Sequence, residues 1–125
     1  MDASDLVSSL LGVCFAVKLF HYRTKYYGAH KTADKFFDKY LDKADQFLEV
    51  YQGKYGRIKF EGDEAGMTLP VLTDDNIASY LTNESNWIAR ELKGKLKSPQ
   101  DGDLLNICDE LQGIIDQFKY LLTFQ

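Results

Sequence analysis

Apolar residues recur at helical spacing in four runs, separated by polar or glycine-rich breaks. In the first run, Leu6, Leu10, Cys14, Val17 and His21 follow at steps of four, four, three and four. That stripe predicts a helix over 3–27, capped by Asp2 or Ser4. It also sets His21 on the core-facing side, where a histidine satisfied by a backbone or side-chain partner is the ordinary reading. Gly28 predicts the break that follows. A second helix is expected from about Ala29 to Gly53 or Gly56, with Phe37, Leu41, Ala44, Leu48 and Tyr51 as its core seam. Asp34 continues that seam at its start, and Asp45 and Glu49 sit on its shoulder.

Residues 54–72 keep no helical period and hold three glycines and a proline between Gly56 and Pro70. They predict a long crossover, with a short extended or helical piece at Arg57–Phe60. Its acids Glu61, Asp63 and Glu64 read as exposed loop carboxylates. Thr73 or Asp74 caps a third helix running to about Lys97. Its inner stripe is Ile77, Tyr80, Leu81, Glu84, Trp87, Ile88, Glu91 and Leu92, with Trp87 as an anchor. Ser98-Pro99 predicts a cap and first position for a fourth helix over roughly 99–123. Leu104, Leu105, Cys108, Leu111, Ile115, Phe118 and Leu122 point inward, and Leu121, Leu122 and Phe124 offer a patch to a neighbouring chain. Four helices with one long crossover between the second and third predict an all-α, single-domain bundle over 1–125.

Composition narrows the functions. The chain has 125 residues, a formal net charge of −4 and 45% hydrophobic content, as expected of one soluble domain. The acidic balance argues against nucleic acid and suits cations. Cys14 and Cys108 lie within apolar helical patterns, which reads as buried thiols in a reducing compartment. The opening MDASD lacks a basic n-region, and residues 10–20, interrupted by Lys18, are too short to span a bilayer. The expected location is the cytoplasm, without a membrane partner. Lys31, Lys35, Lys39 and Lys43 form a row interleaved with Asp34, Asp38 and Asp42, a solubilising face with local ion pairing.

Candidate chemistry gathers between His21 and Glu49. This stretch holds both histidines and two pairs four residues apart, His30 with Asp34 and Asp45 with Glu49. Imidazole with carboxylates is an iron-type ligand set. On one helix the four residues share an arc of roughly 100°, but Asp34 and Asp45 lie about 16 Å apart along the axis. A metal bound at about 2 Å cannot bridge that gap. Two copies of the helix, antiparallel about a two-fold axis near Lys39–Tyr40, would bring His30 and Asp34 of one copy to Asp45 and Glu49 of the other. Neither histidine has a Glu three residues before it, so an intrachain di-iron centre is not encoded. There is also no HExxH, phosphate-binding glycine loop or GxSxG.

The HxxxD pair, the eleven-residue step to Asp45 and the DxxxE pair resemble the ferroxidase signature of the DNA-protecting mini-ferritins, the Dps family. LFHYRTKYYGAH resembles the family's histidine-bearing run before that site. The chain is also similar to small proteins of large viruses and phages, for which the compartment would be the host cytoplasm. The resemblance implies a ferritin-like four-helix bundle in which His21, His30 and Asp34 of one subunit meet Asp45 and Glu49 of its two-fold mate. Those five residues are then the implied metal ligands, and His30, Asp34, Asp45 and Glu49 the implied catalytic set. The implied activity is oxidation of Fe(II) by dioxygen or peroxide and storage of the product, with Zn as a substitute metal, in a dimer or a twelve-subunit shell. The His21–His30 interval is about three residues shorter than usual in the family, and the lysine-rich tail is missing. These departures favour a second reading, a structural or interaction bundle with a vestigial site, and place DNA compaction last.

Overall fold

The computed structural model describes residues 2–63 and 67–124. Among them there are four helices and no strand: α1 (Ala3–Arg23), α2 (Tyr27–Tyr55), α3 (Ile77–Trp87) and α4 (Gly102–Leu121). α3 continues through a π-helical turn, Ile88–Leu92, and a short 3-10 turn, Lys93–Lys95.

The Asp2 carboxylate accepts the Ser4 N–H at 3.0 Å and starts α1. All five residues of the expected stripe are buried, His21 included. α1 stops at Arg23, earlier than expected, and Gly28 is not the break. Thr24 and Tyr26 are extended, and the Thr24 hydroxyl accepts the Tyr26 N–H at 3.2 Å. Side-chain hydrogen bonding makes this turn, and Gly28 falls in the first turn of α2. By length and composition Ser4–Arg23 is apolar enough to cross a membrane, yet half of it is buried inside the bundle.

α2 ends at Gly56, whose φ of +91° suits glycine. Its buried residues are Ala29, Ala33, Phe36, Tyr40, Ala44, Phe47 and Leu48. This arc is rotated from the expected seam, and Phe37, Leu41 and Tyr51 are half-buried at its edge. The cause is that α2 packs on two neighbours, α1 and α4. Against α1 it runs antiparallel, with Phe15 on Phe37 at 5.9 Å and Lys18 on Asp34 at 2.5 Å. Against α4 it is also antiparallel: Phe36 stacks on Phe118 at 4.7 Å, Lys43 pairs with Glu110 at 2.8 Å and Lys54 with Asp103 at 3.2 Å. Lys39 and Lys43 therefore reach across to α4, whereas Lys31 and Lys35 are exposed.

α3 packs antiparallel on α4 through Lys93–Asp109, Gln112 to the Ser85 carbonyl at 3.4 Å, and Lys119 to Thr82 at 2.6 Å. It begins later than expected. Thr73 and Asn76 exchange hydrogen bonds of 2.7 and 3.2 Å in a closed turn, and the helix starts at Ile77. Its inner residues Ile88 and Leu92 are buried within the π turn, and Leu96 is buried just past the 3-10 turn, where the backbone turns extended. The turn at Ile88–Leu92 is π-helical, with the Lys93 N–H donating to the Ile88 carbonyl five residues back. Glu91, expected inside, is exposed. Pro99 lies in the turn before α4 and not within it. There the Asp101 carboxylate takes the Lys97 N–H at 2.9 Å and the Tyr55 hydroxyl at 2.5 Å. In α4, Ile107 is buried, while Leu105 and Leu122 are half-buried.

Residues 56–76 join α2 to α3, and the expected piece at Arg57–Phe60 forms no regular element. Lys54 and Tyr55 lie beside Gln100 and Asp101, at the start of α4. Asp74, near the start of α3, takes hydrogen bonds from the Thr24 hydroxyl and the Lys25 N–H at the α1–α2 turn. Glu61 and Asp63 are exposed, and Glu64 lies outside the described residues. All four helices contribute to one core, from Leu6 and Phe20 through Phe47 and Leu81 to Leu111 and Ile115.

Candidate functional site

The short α1–α2 turn brings the two histidines together. His21 is in the last turn of α1, where helix carbonyls lack intrahelical donors. The His30 Nδ1–H donates to the His21 carbonyl at 2.8 Å, and the His21 Nδ1–H donates to the His30 carbonyl at 2.6 Å. The rings stack at 3.8 Å between centroids, 16° from parallel. Tyr22 meets the edge of His21 at 5.0 Å and Tyr27 lies over His30 at 6.2 Å. A carbonyl only accepts, so both protons sit on Nδ1 in the neutral rings and both Nε2 atoms carry a lone pair. Among the described residues neither Nε2 has a hydrogen-bond partner.

Asp34, one turn beyond His30, is directed to Lys18. Their hydrogen bond holds the Asp34 carboxyl below the usual carboxylate range, and the same contact raises Lys18. The Lys18 ammonium also lies over the rings of Phe37 and Tyr22, at 5.2 and 5.8 Å. Asp34 is half exposed, with a relative side-chain accessibility of 47%. Asp45 and Glu49 stand exposed further along α2, without an ion-pair partner among the described residues.

Of the five residues singled out in the sequence, the fold thus joins His21 to His30, turns Asp34 to Lys18 and leaves Asp45 and Glu49 apart. Among the described residues no three His, Cys, Asp or Glu side chains gather as a metal ion requires. Tyr40, which marked the expected two-fold axis, is fully buried in its own core, so only the exposed Lys39 side of that position reaches the surface. Cys14 and Cys108 are free and buried, and burial pushes both thiols up to about 12.

Sequence reasoning missed two features. Lys18 was legible only as an interruption of an apolar run; its pairing with Asp34 depends on how short the α1–α2 turn is. The second is a polar group inside the bundle, with Tyr40 and Glu84 at its centre. Glu84 did stand out in the sequence as a polar exception on an apolar stripe.

The fold and site define an all-α four-helix protein with a histidine pair locked between its first two helices. The chain belongs to DUF5856, a family of unknown function, whose model matches residues 21–122. No curated protein matches the chain, and no solved structure does.

Proposed function

We propose that this protein is a ferritin-like bundle of the mini-ferritin kind, which takes Fe(II) as substrate between two copies of the chain and stores the oxidised product. The observation that carries the reading is the histidine pair. Each Nδ1 is fixed on a backbone carbonyl, as metal-ligating imidazoles are oriented, and each Nε2 is left to bind. Near the start of α2 the candidate donors are His21 and His30, with Asp34 held by Lys18; further along are Asp45 and Glu49, without an ion-pair partner among the described residues. Neither half is sufficient alone, and an antiparallel partner helix would unite them. Zn would suit the same donors. Carboxylates also suit iron whose charge rises on oxidation by dioxygen or peroxide. The direction of residues 56–76, from the α4 end back to the α1–α2 turn, supports a ferritin-like crossover between parallel α2 and α3. A twelve-subunit shell in the cytoplasm rests on the family resemblance alone.

The test is anaerobic Fe(II) titration of the wild type and of Asp45→Ala/Glu49→Ala, followed by oxygen exposure. Saturable binding that the double variant loses supports the proposal, and equal binding by both rules it out.

One observation favours a second reading, a structural or interaction bundle. His21, His30, Asp34 and Lys18 all find partners within a single chain. Metal content separates the two. Stoichiometric iron or zinc, removed by Asp34→Ala, supports the first reading, and metal-free protein that still assembles supports the second.

A further inference from the structure

Tyr40 and Glu84 occupy the middle of the bundle, away from the histidine pair. Tyr40 is fully buried, and its hydroxyl finds no partner among the described residues. Glu84 itself is half-buried, but its Oε2 is buried and likewise without a partner among the described residues. Buried polar atoms without partners are rare in folded proteins, because each forfeits its hydration. Two of them, Tyr40 on α2 and Glu84 on α3, with Glu84 acting electrostatically on the Tyr40 phenol, point to a shared occupant. Each of the other three helices adds a group that acts electrostatically on the Tyr40 phenol: Cys14 from α1, Glu84 and Tyr80 from α3 and Cys108 from α4. None of these neighbours is a cation. The ion pairs of the packed helices, Lys18–Asp34, Lys43–Glu110 and Lys93–Asp109, leave this group out. Among the described residues Glu84 therefore has no counter-charge, and burial pushes its carboxyl up to about 7. The thiols and phenols around it are all raised, so they stay neutral where Glu84 titrates. The helix also loosens here. The Ile88 N–H is shared between the Glu84 and Ser85 carbonyls, at the entry to the π turn. Such turns recur at functional sites.

We propose that the bundle core contains a proton-uptake site, in which Glu84 is held as the neutral acid and one buried water joins its carboxyl to the Tyr40 hydroxyl. A water needs two to four polar partners; these two oxygens supply two, and the half-buried Tyr80 phenol acts electrostatically on the Tyr40 phenol. Folding then favours the protonated carboxyl. The resulting stability is complete below the ordinary carboxylate range and is lost as pH rises through Glu84's folded value. The site is independent of iron binding.

The test uses the full chain without metal. The carboxyl carbon of Glu84 is followed by NMR from pH 4 to 9, in the wild type and in Tyr40→Phe. Thermal or urea unfolding is followed over the same range for the wild type and Glu84→Gln. A midpoint near 7, moved upward in Tyr40→Phe by loss of the hydroxyl, is expected. So is a wild-type folding constant that falls, relative to Glu84→Gln, by up to roughly tenfold per pH unit between about pH 5 and 7 and then levels. A midpoint in the ordinary carboxylate range, or parallel pH profiles for wild type and Glu84→Gln, overturns the proton site. An unmoved midpoint in Tyr40→Phe overturns the water link. The wild-type titration keeps the test decisive even where Glu84→Gln folds poorly.

Discussion

His21 and His30 each hydrogen-bond the other's backbone carbonyl, at 2.6 and 2.8 Å, with their rings stacked between the two helices. The exchange satisfies a helix-end carbonyl and ties the last turn of α1 to the first turn of α2. Removing the His30 ring leaves the His21 carbonyl, at the end of α1, short of a donor, and removing either ring leaves a gap beside its partner. His21→Ala and His30→Ala are each expected to cost about 1–3 kcal/mol in urea unfolding. The double variant should cost less than their sum by about 0.5–3 kcal/mol, because each single change already breaks the exchange. Strict additivity would show that the two rings act separately.

Lys18 and a bound cation compete for the Asp34 carboxylate if the proposed function holds. Lys18→Met frees that carboxylate and is expected to tighten anaerobic Fe(II) binding by roughly tenfold, whereas Asp34→Ala weakens it by a similar factor. Calorimetric titration reads both. Weaker binding in Lys18→Met would count against Asp34 as a ligand.

Acid should weaken the fold through Asp34 and Asp101. Lys18 holds Asp34 below its ordinary range, and the Tyr55 hydroxyl and the Lys97 N–H do the same for Asp101. A carboxyl lowered by folding stabilises above its unfolded value, about 3.9 for Asp, and loses that contribution as pH falls through the folded one. Melting temperature should therefore drop between about pH 4 and pH 2. Asp34→Asn and Asp101→Asn should each flatten part of that drop.

The core predicts a sharp contrast between neighbouring classes of leucine. Leu111 is fully buried, and Leu111→Ala is expected to cost about 2–5 kcal/mol. Leu19 is 48% exposed, and its replacement by Ala should stay within about 0.5 kcal/mol. Chemical denaturation of the two variants checks the assignment of the outer face of α1.

The four helices and the long connection were legible because apolar spacing and Gly/Pro punctuation are local signals. The stripe of α1 was readable residue by residue, since that helix buries a single arc. α2 was harder. Phe36-Phe37 offers two adjacent apolar residues, and only the positions of α1 and α4 decide which one points inward; Phe47-Leu48 offers two more, and there both are buried. The helix ends were misplaced at Gly28, Thr73 and Pro99, where side-chain hydrogen bonds from Thr24, Asn76 and Asp101 set the turns. The candidate site was half legible. Spacing placed His30 and Asp34 on one face, but the stacking of His21 on His30 and the capture of Asp34 by Lys18 depend on contacts across two helices.

The π turn at Ile88–Leu92 has a last consequence. A wide turn is an α-helical turn carrying one surplus residue. α3 therefore holds slack that the regular stretches on either side lack. Ala89 and Arg90 are exposed there. Dropping one of them would let the segment relax into ordinary helix while Leu81 and Leu96 keep their seats, so this is where the chain can change length without re-threading its interior.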